Sequence, residues 1–136
     1  MSTEDYCFEM GLEVRDYECD LQGIVNHAVY LNYLEHTRHQ YLNSIGLDFA
    51  RLHQQGYSLV VTRCEVDYLA SLRSGDRFVV KLDMVRESRL RFAFLHDIYR
   101  YPDAEHVLGA RVIGTSLSTA GRPAFPAELE GVLKAC

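Results

Sequence analysis

An aspartate, a glycine and an asparagine lie close together in Asp20-Leu21-Gln22-Gly23-Ile24-Val25-Asn26-His27, just ahead of the longest run of helical periodicity in the chain. The first turn of a helix carries N–H groups without intrahelical acceptors and a partial positive charge, so it can hold an oxyanion or polarise a carbonyl. Asp20 is near enough in sequence to share such a pocket. The same residues also have a purely structural reading, in which Asp20 closes an Asx turn and Asn26 caps the helix; local chemistry alone favours it.

Other chemistry-bearing residues are scattered. His36 and His39 are three apart on the helix, yet no carboxylate-rich or thiol-rich third element has the spacing of a metal site, so they read as solvated or interface residues and no metal is expected. His53, His96 and His106 are isolated. Cys7, Cys19, Cys64 and Cys136 form no CxxC pair and read as reduced thiols without structural zinc or nucleophilic role. A Gly-x-Ser-x-Gly elbow is absent, which disfavours a serine hydrolase.

The elements that must position Asp20 follow from periodicity. Phe8 to Tyr17 alternates loosely and predicts a first strand. From about His27 to Ile45, Tyr30, Leu34, Thr37, Tyr41 and Ile45 recur at helical spacing, Leu31 and Leu42 widen the stripe, Arg38 falls at its edge, and Gly46 suits the left-handed terminus. A short helical piece over Asp48 to Gln55 precedes strands at about Tyr57 to Leu69, around Phe78, Val80, Leu82 and Met84, at Leu90 to Ile98, and at Val107 to Thr119. Glu87-Ser88-Arg89 fits a tight hairpin, and after Gly121-Arg122-Pro123 only a short tail is expected. With no strand–helix alternation, the chain reads as α+β: residues 1–136 form one domain, a long helix wrapped by a curved antiparallel sheet of about five strands. Glu35, His36, Arg38 and His39 are too many polar groups for one monomer to bury on that helix, so part of it is expected to meet solvent, a cleft or another subunit.

Composition narrows the partners. Of 136 residues, 48% are hydrophobic and 24% charged, and a formal net charge of -5 argues against nucleic acid and anionic membrane. Residues 1–10 lack the basic stretch of a targeting peptide, and no apolar run approaches the roughly 20 residues that span a bilayer, so a cytoplasmic protein is expected.

The segment Asp20 to Glu35, DLQGIVNHAVYLNYLE, closely resembles the signature of the 4-hydroxybenzoyl-CoA thioesterase-like acyl-CoA thioesterases, which have the hot-dog fold. Asp67-Tyr68-Leu69 with Gly75-Asp76 resembles that family's second-strand motif, and Gly121 to Pro126 its C-terminal turn. The resemblance implies an acyl-CoA thioesterase releasing a free carboxylic acid and CoA without a cofactor. It places Asp20 as nucleophile or general base and the backbone N–H of His27 as the group polarising the carbonyl, a sound division of labour for acyl transfer. Asn26, Tyr30 and Glu35 match positions near the cleft or on the subunit-facing side of the helix, which adds Asn26 to the catalytic candidates and Tyr30 and Glu35 to the substrate-binding ones; Arg86, Arg89 and Arg91 fall where relatives hold CoA phosphates and join the latter. A homodimer, and a homotetramer built from it, are further implied. Two departures are visible: Ala70-Ser71 stands where a proline is common, and Arg91 replaces a small hydroxyl residue before Phe92. An acyl-carrier-protein thioesterase and a non-catalytic acyl-thioester-binding protein are the alternatives; a hydratase is disfavoured because its Asn-Pro-x-x-His arrangement is missing.

Overall fold

The computed structural model describes residues 6–47 and 49–135. The leader reading of residues 1–5, the start of the short helix at Asp48 and the thiol of Cys136 lie outside the described residues. In chain order the elements are β1 (Phe8–Glu13), a 3-10 turn (Asp16–Glu18), α1 (His27–Ser44), α2 (Phe49–Gln54), β2 (Ser58–Tyr68), β3 (Arg77–Ser88), β4 (Arg91–Tyr101), β5 (His106–Leu117) and α3 (Ala127–Ala135).

The five strands form one sheet in the order β1-β3-β4-β5-β2, every neighbouring pair antiparallel. Alternation sets which face is covered. Phe78, Val80, Leu82 and Met84 of β3 and Phe92, Phe94, His96 and Ile98 of β4 are all buried, as period-2 patterning requires of a sheet covered on one side. Along the helix, Tyr30, Tyr33 and Leu34 join Phe78, Val80, Ile98 and Leu108 in one apolar cluster, and Tyr41 and Leu42 join Leu82, Met84, Phe92 and Val112 in a second. Within the expected stripe Ile45 and Leu31 are instead exposed, at 43% and 38%, while Tyr33 is buried, so the covered face is rotated toward β3.

Two element boundaries differ from expectation. β1 stops at Glu13 because the Glu18 carboxylate accepts the Arg15 N–H at 2.8 Å and draws the chain into the 3-10 turn. The tail after Pro126 is the helix α3, which buries Leu129 and Val132 in the second apolar cluster. Cys19 and Cys64 are free, whereas Cys7 is disulfide-bonded, contrary to the expectation of four reduced thiols. Among the described residues no helix is long and apolar enough to cross a membrane.

Candidate active site

The segment carrying Asp20 is a tight loop pinned at its base. Cys19 and Val25 pair in an antiparallel bridge, the Asp20 N–H donates to the Ile24 carbonyl at 2.9 Å, and Gly23 turns the chain at φ +79, a left-handed conformation that suits glycine. From below, the Val25 N–H donates to the Leu72 carbonyl at 2.9 Å, while the Leu72 N–H donates to the Tyr30 hydroxyl at 3.0 Å. Tyr30 is thus a buried strut between α1 and the loop, and its burial raises the phenol pKa. Glu18, missed in the sequence, is a second strut: its carboxylate accepts from the Tyr33 hydroxyl at 2.8 Å, and its carbonyl accepts the Asn26 N–H at 3.2 Å.

Asp20 itself is exposed, and its Oδ1 accepts the Gln22 N–H at 2.9 Å in the Asx-turn manner. Asn26 caps α1: its Oδ1 accepts the Ala28 N–H and its backbone carbonyl the Val29 N–H, both at 2.9 Å. Among the described residues these bonds leave the His27 N–H, the first donor of the helix, without a protein acceptor. Tyr68, at the end of β2, donates its hydroxyl to the His27 carbonyl at 3.0 Å and fixes that turn against the sheet.

Further along α1, Glu35, Arg38, His39 and Leu42 face Leu59 to Val61 of β2 across a cavity of about 240 Å³, whose floor is Phe92, Phe94, Val112 and Gly114. A Cβ on Gly114 would come within 2.8 Å of the Val60 carbonyl and 2.7 Å of the Phe92 ring, so only glycine leaves this cavity its shape. Arg38 is partly buried, its guanidinium 5.7 Å above the Phe94 ring and 3.4 Å from His96 Nε2, and desolvation lowers its pKa. His96, isolated in the sequence, sits beneath it; burial first and the Arg38 charge second depress its pKa to about 3, so the ring is neutral and Nε2 can accept from the guanidinium. Arg38 belongs to the cavity and carries no signal in its spacing beyond lying at the edge of an apolar stripe.

The three hairpin arginines part company. Arg86 pairs with Glu130 of α3, donates to the Arg89 carbonyl at 2.7 Å and lies 5.0 Å above the Phe125 ring, which makes it a brace for the C-terminal helix. Arg89 and Arg91 line a groove of about 580 Å³ with Thr62, Ser88 and Thr115. That groove and the Glu35 cavity lie at the Ser58 end of β2, while Asp20, Asn26 and His27 lie at the Tyr68 end, so one subunit does not bring all the candidate residues together.

Residues 14–133 match the model of the thioesterase-like superfamily. The chain is 42% identical over 115 residues to a chloroplastic acyl-acyl carrier protein thioesterase of Arabidopsis thaliana, covering 85% of this chain but 60% of that relative's length. Its fold is similar to that of a hypothetical protein from Aquifex aeolicus, with a TM-score of 0.85 at 28% identity and coverage of 93% and 98% of the two chains. A 1,4-dihydroxy-2-naphthoyl-CoA thioesterase from Synechocystis shares the fold at a TM-score of 0.88 with 19% identity, covering 93% and 95%.

Proposed function

The chain belongs to the thioesterase-like superfamily, with the hot-dog fold, and from that premise we propose that it hydrolyses acyl thioesters to a carboxylic acid and the carrier thiol. What carries the reading is one backbone donor, the His27 N–H, unpaired among the described residues at a helix N-terminus beside a loop that presents an exposed carboxylate. A thioester carbonyl oxygen accepts from this N–H, and the developing negative charge gains from the helix dipole. Asp20 then acts in one of two ways. As general base it takes a proton from water while the oxygen adds to the carbonyl carbon; as nucleophile it adds there itself, and water cleaves the resulting anhydride. In both, the C–S bond breaks and the thiolate leaves without a strong acid.

Twofold pairing assembles the rest. Among the described residues β2 pairs with β5 on one side and offers an eleven-residue edge on the other, and an isologous dimer that joins this edge to its own copy runs the two strands antiparallel. The Tyr68 end of one β2 then meets the Ser58 end of the other. Asp20 and His27 of one subunit thereby face the Glu35 cavity and the Arg89–Arg91 groove of its mate, the first receiving the acyl group and the second the phosphates of the carrier.

Coenzyme A and acyl-carrier protein present the same phosphopantetheine thioester. The 42% identical relative named for acyl-carrier-protein thioesters favours the protein-borne donor as a second reading. A panel of acyl-CoAs and acyl-carrier proteins assayed for free thiol tests both. Release from at least one carrier is expected, and no release above the uncatalysed rate from any member overturns the reading.

A further inference from the structure

Resting on the hydrolase reading, we infer that Arg38 is a specificity-determining residue that selects acyl groups carrying an uncharged oxygen, a hydroxyl above all. A guanidinium has five N–H donors, and among the described residues Arg38 directs one at an acceptor, His96 Nε2 at 3.4 Å. It makes no ion pair there: Glu35, one turn away on the same helix and lining the same cavity, is not in salt-bridge contact with it. His39 also lines the cavity, and the rest of the wall is largely apolar, with Leu42, Leu59, Phe92, Phe94 and Val112 among its residues. A partly buried cation that keeps most of its donors unused among the described residues gains from a ligand that offers them acceptors.

Glu35 and Arg38 in the same wall carry opposite charges, so the cavity offers an anionic acyl tail no net attraction. A hydroxyl suits both residues, accepting from Arg38 and donating to Glu35. Neutral His96 and the Phe94 ring both contact the guanidinium at the cavity wall, a pair of contacts a lysine ammonium would not reproduce. The cavity's 240 Å³ equals about eight water volumes at roughly 30 Å³ each, room for a short or medium acyl group.

The test uses octanoyl thioesters, unsubstituted or carrying one hydroxyl at successive carbons, on whichever carrier the wild-type protein accepts. At least one hydroxylated member is expected to exceed octanoyl in kcat/KM by about tenfold or more, chiefly through KM, and Arg38→Met is expected to bring that ratio to within about twofold. Equal kcat/KM across the wild-type series, or a preference that survives Arg38→Met, overturns the inference while leaving the hydrolase reading intact. Should Arg38→Met fail to fold, titration of Asp20→Asn with free octanoate and hydroxyoctanoates decides the point: tighter binding of a hydroxylated acid supports it, and equal binding overturns it. An Arg38→Met protein that falls to monomers with unchanged selectivity shows that the guanidinium serves the subunit contact instead, which also overturns it.

Discussion

The Tyr68 hydroxyl donates to the His27 carbonyl at 3.0 Å, so the end of the open edge strand and the first turn of the central helix move as one piece. The Tyr68 ring also packs at 5.7 Å on Tyr30, whose hydroxyl holds Leu72 under the Asp20 loop. The His27 N–H, without a protein acceptor among the described residues, is therefore positioned by contacts reaching both sides of the loop, and the proposed pairing at the β2 edge would bear directly on it.

Asp20→Asn is expected to lower kcat by about 10² or more, the usual scale of a lost base or nucleophile, with the melting temperature nearly unchanged. An asparagine oxygen can still accept the Gln22 N–H that Asp20 now accepts at 2.9 Å. Thiol release and a thermal melt on the same sample separate the two roles; near wild-type turnover removes Asp20 from the chemistry.

Asn26→Ala removes the acceptor of the Ala28 N–H and is expected to cost about 1 kcal/mol, a drop of about 4 °C in Tm for a chain of this size. Asn26→Asp keeps the cap and should recover the loss in calorimetry.

For the hairpin, Arg89→Gln and Arg91→Gln are expected to raise KM several-fold at low salt, with the effect shrinking as ionic strength rises. Arg86→Gln should instead leave KM alone and lower stability by about 1 kcal/mol, because its partners are Glu130 and Phe125. Steady-state kinetics at two salt concentrations, beside denaturant melts, distinguishes brace from phosphate site.

Activity is expected to require the dimer. Val61 is 55% exposed on the edge strand, and Val61→Lys should give a folded, inactive monomer in sedimentation. A fully active wild-type monomer would refute the composite site.

Acid should destabilise the fold through His96. In the folded chain this imidazole stays neutral down to about pH 3, whereas unfolded it takes a proton below its ordinary 6.5. Between these values the unfolded state binds more protons, so stability falls by up to about 1.4 kcal/mol per pH unit as pH is lowered. His96→Gln should flatten that part of a denaturant-midpoint against pH curve; an unchanged slope counts against a neutral buried ring.

Strand faces and the long helix were legible because their signals are local: Phe78, Val80, Leu82 and Met84 alternate, and Asn26 and Gly46, the latter at φ +82, bracket α1. The Asp20-to-His27 loop was legible as a motif, while its struts were not, since Tyr30 meets Leu72 across 42 positions. α3 escaped notice because its nine residues include Gly131, a poor helix former, and its stability comes from burying Leu129 and Val132. Arg38 and His96 lie 58 residues apart, and only the packing of α1 on β4 joins them.

Gly114 gives the cavity one wall that variation cannot move. The obstacle to any side chain there is the Val60 carbonyl, 2.8 Å from where a Cβ would stand, and a backbone atom cannot be trimmed by substitution as the Phe92 ring can. Any change in what the cavity admits then runs through its other lining residues, Leu42, Leu59, Phe92 and Arg38 among them. The lineage of such a protein inherits a pocket that can be retuned around one fixed point.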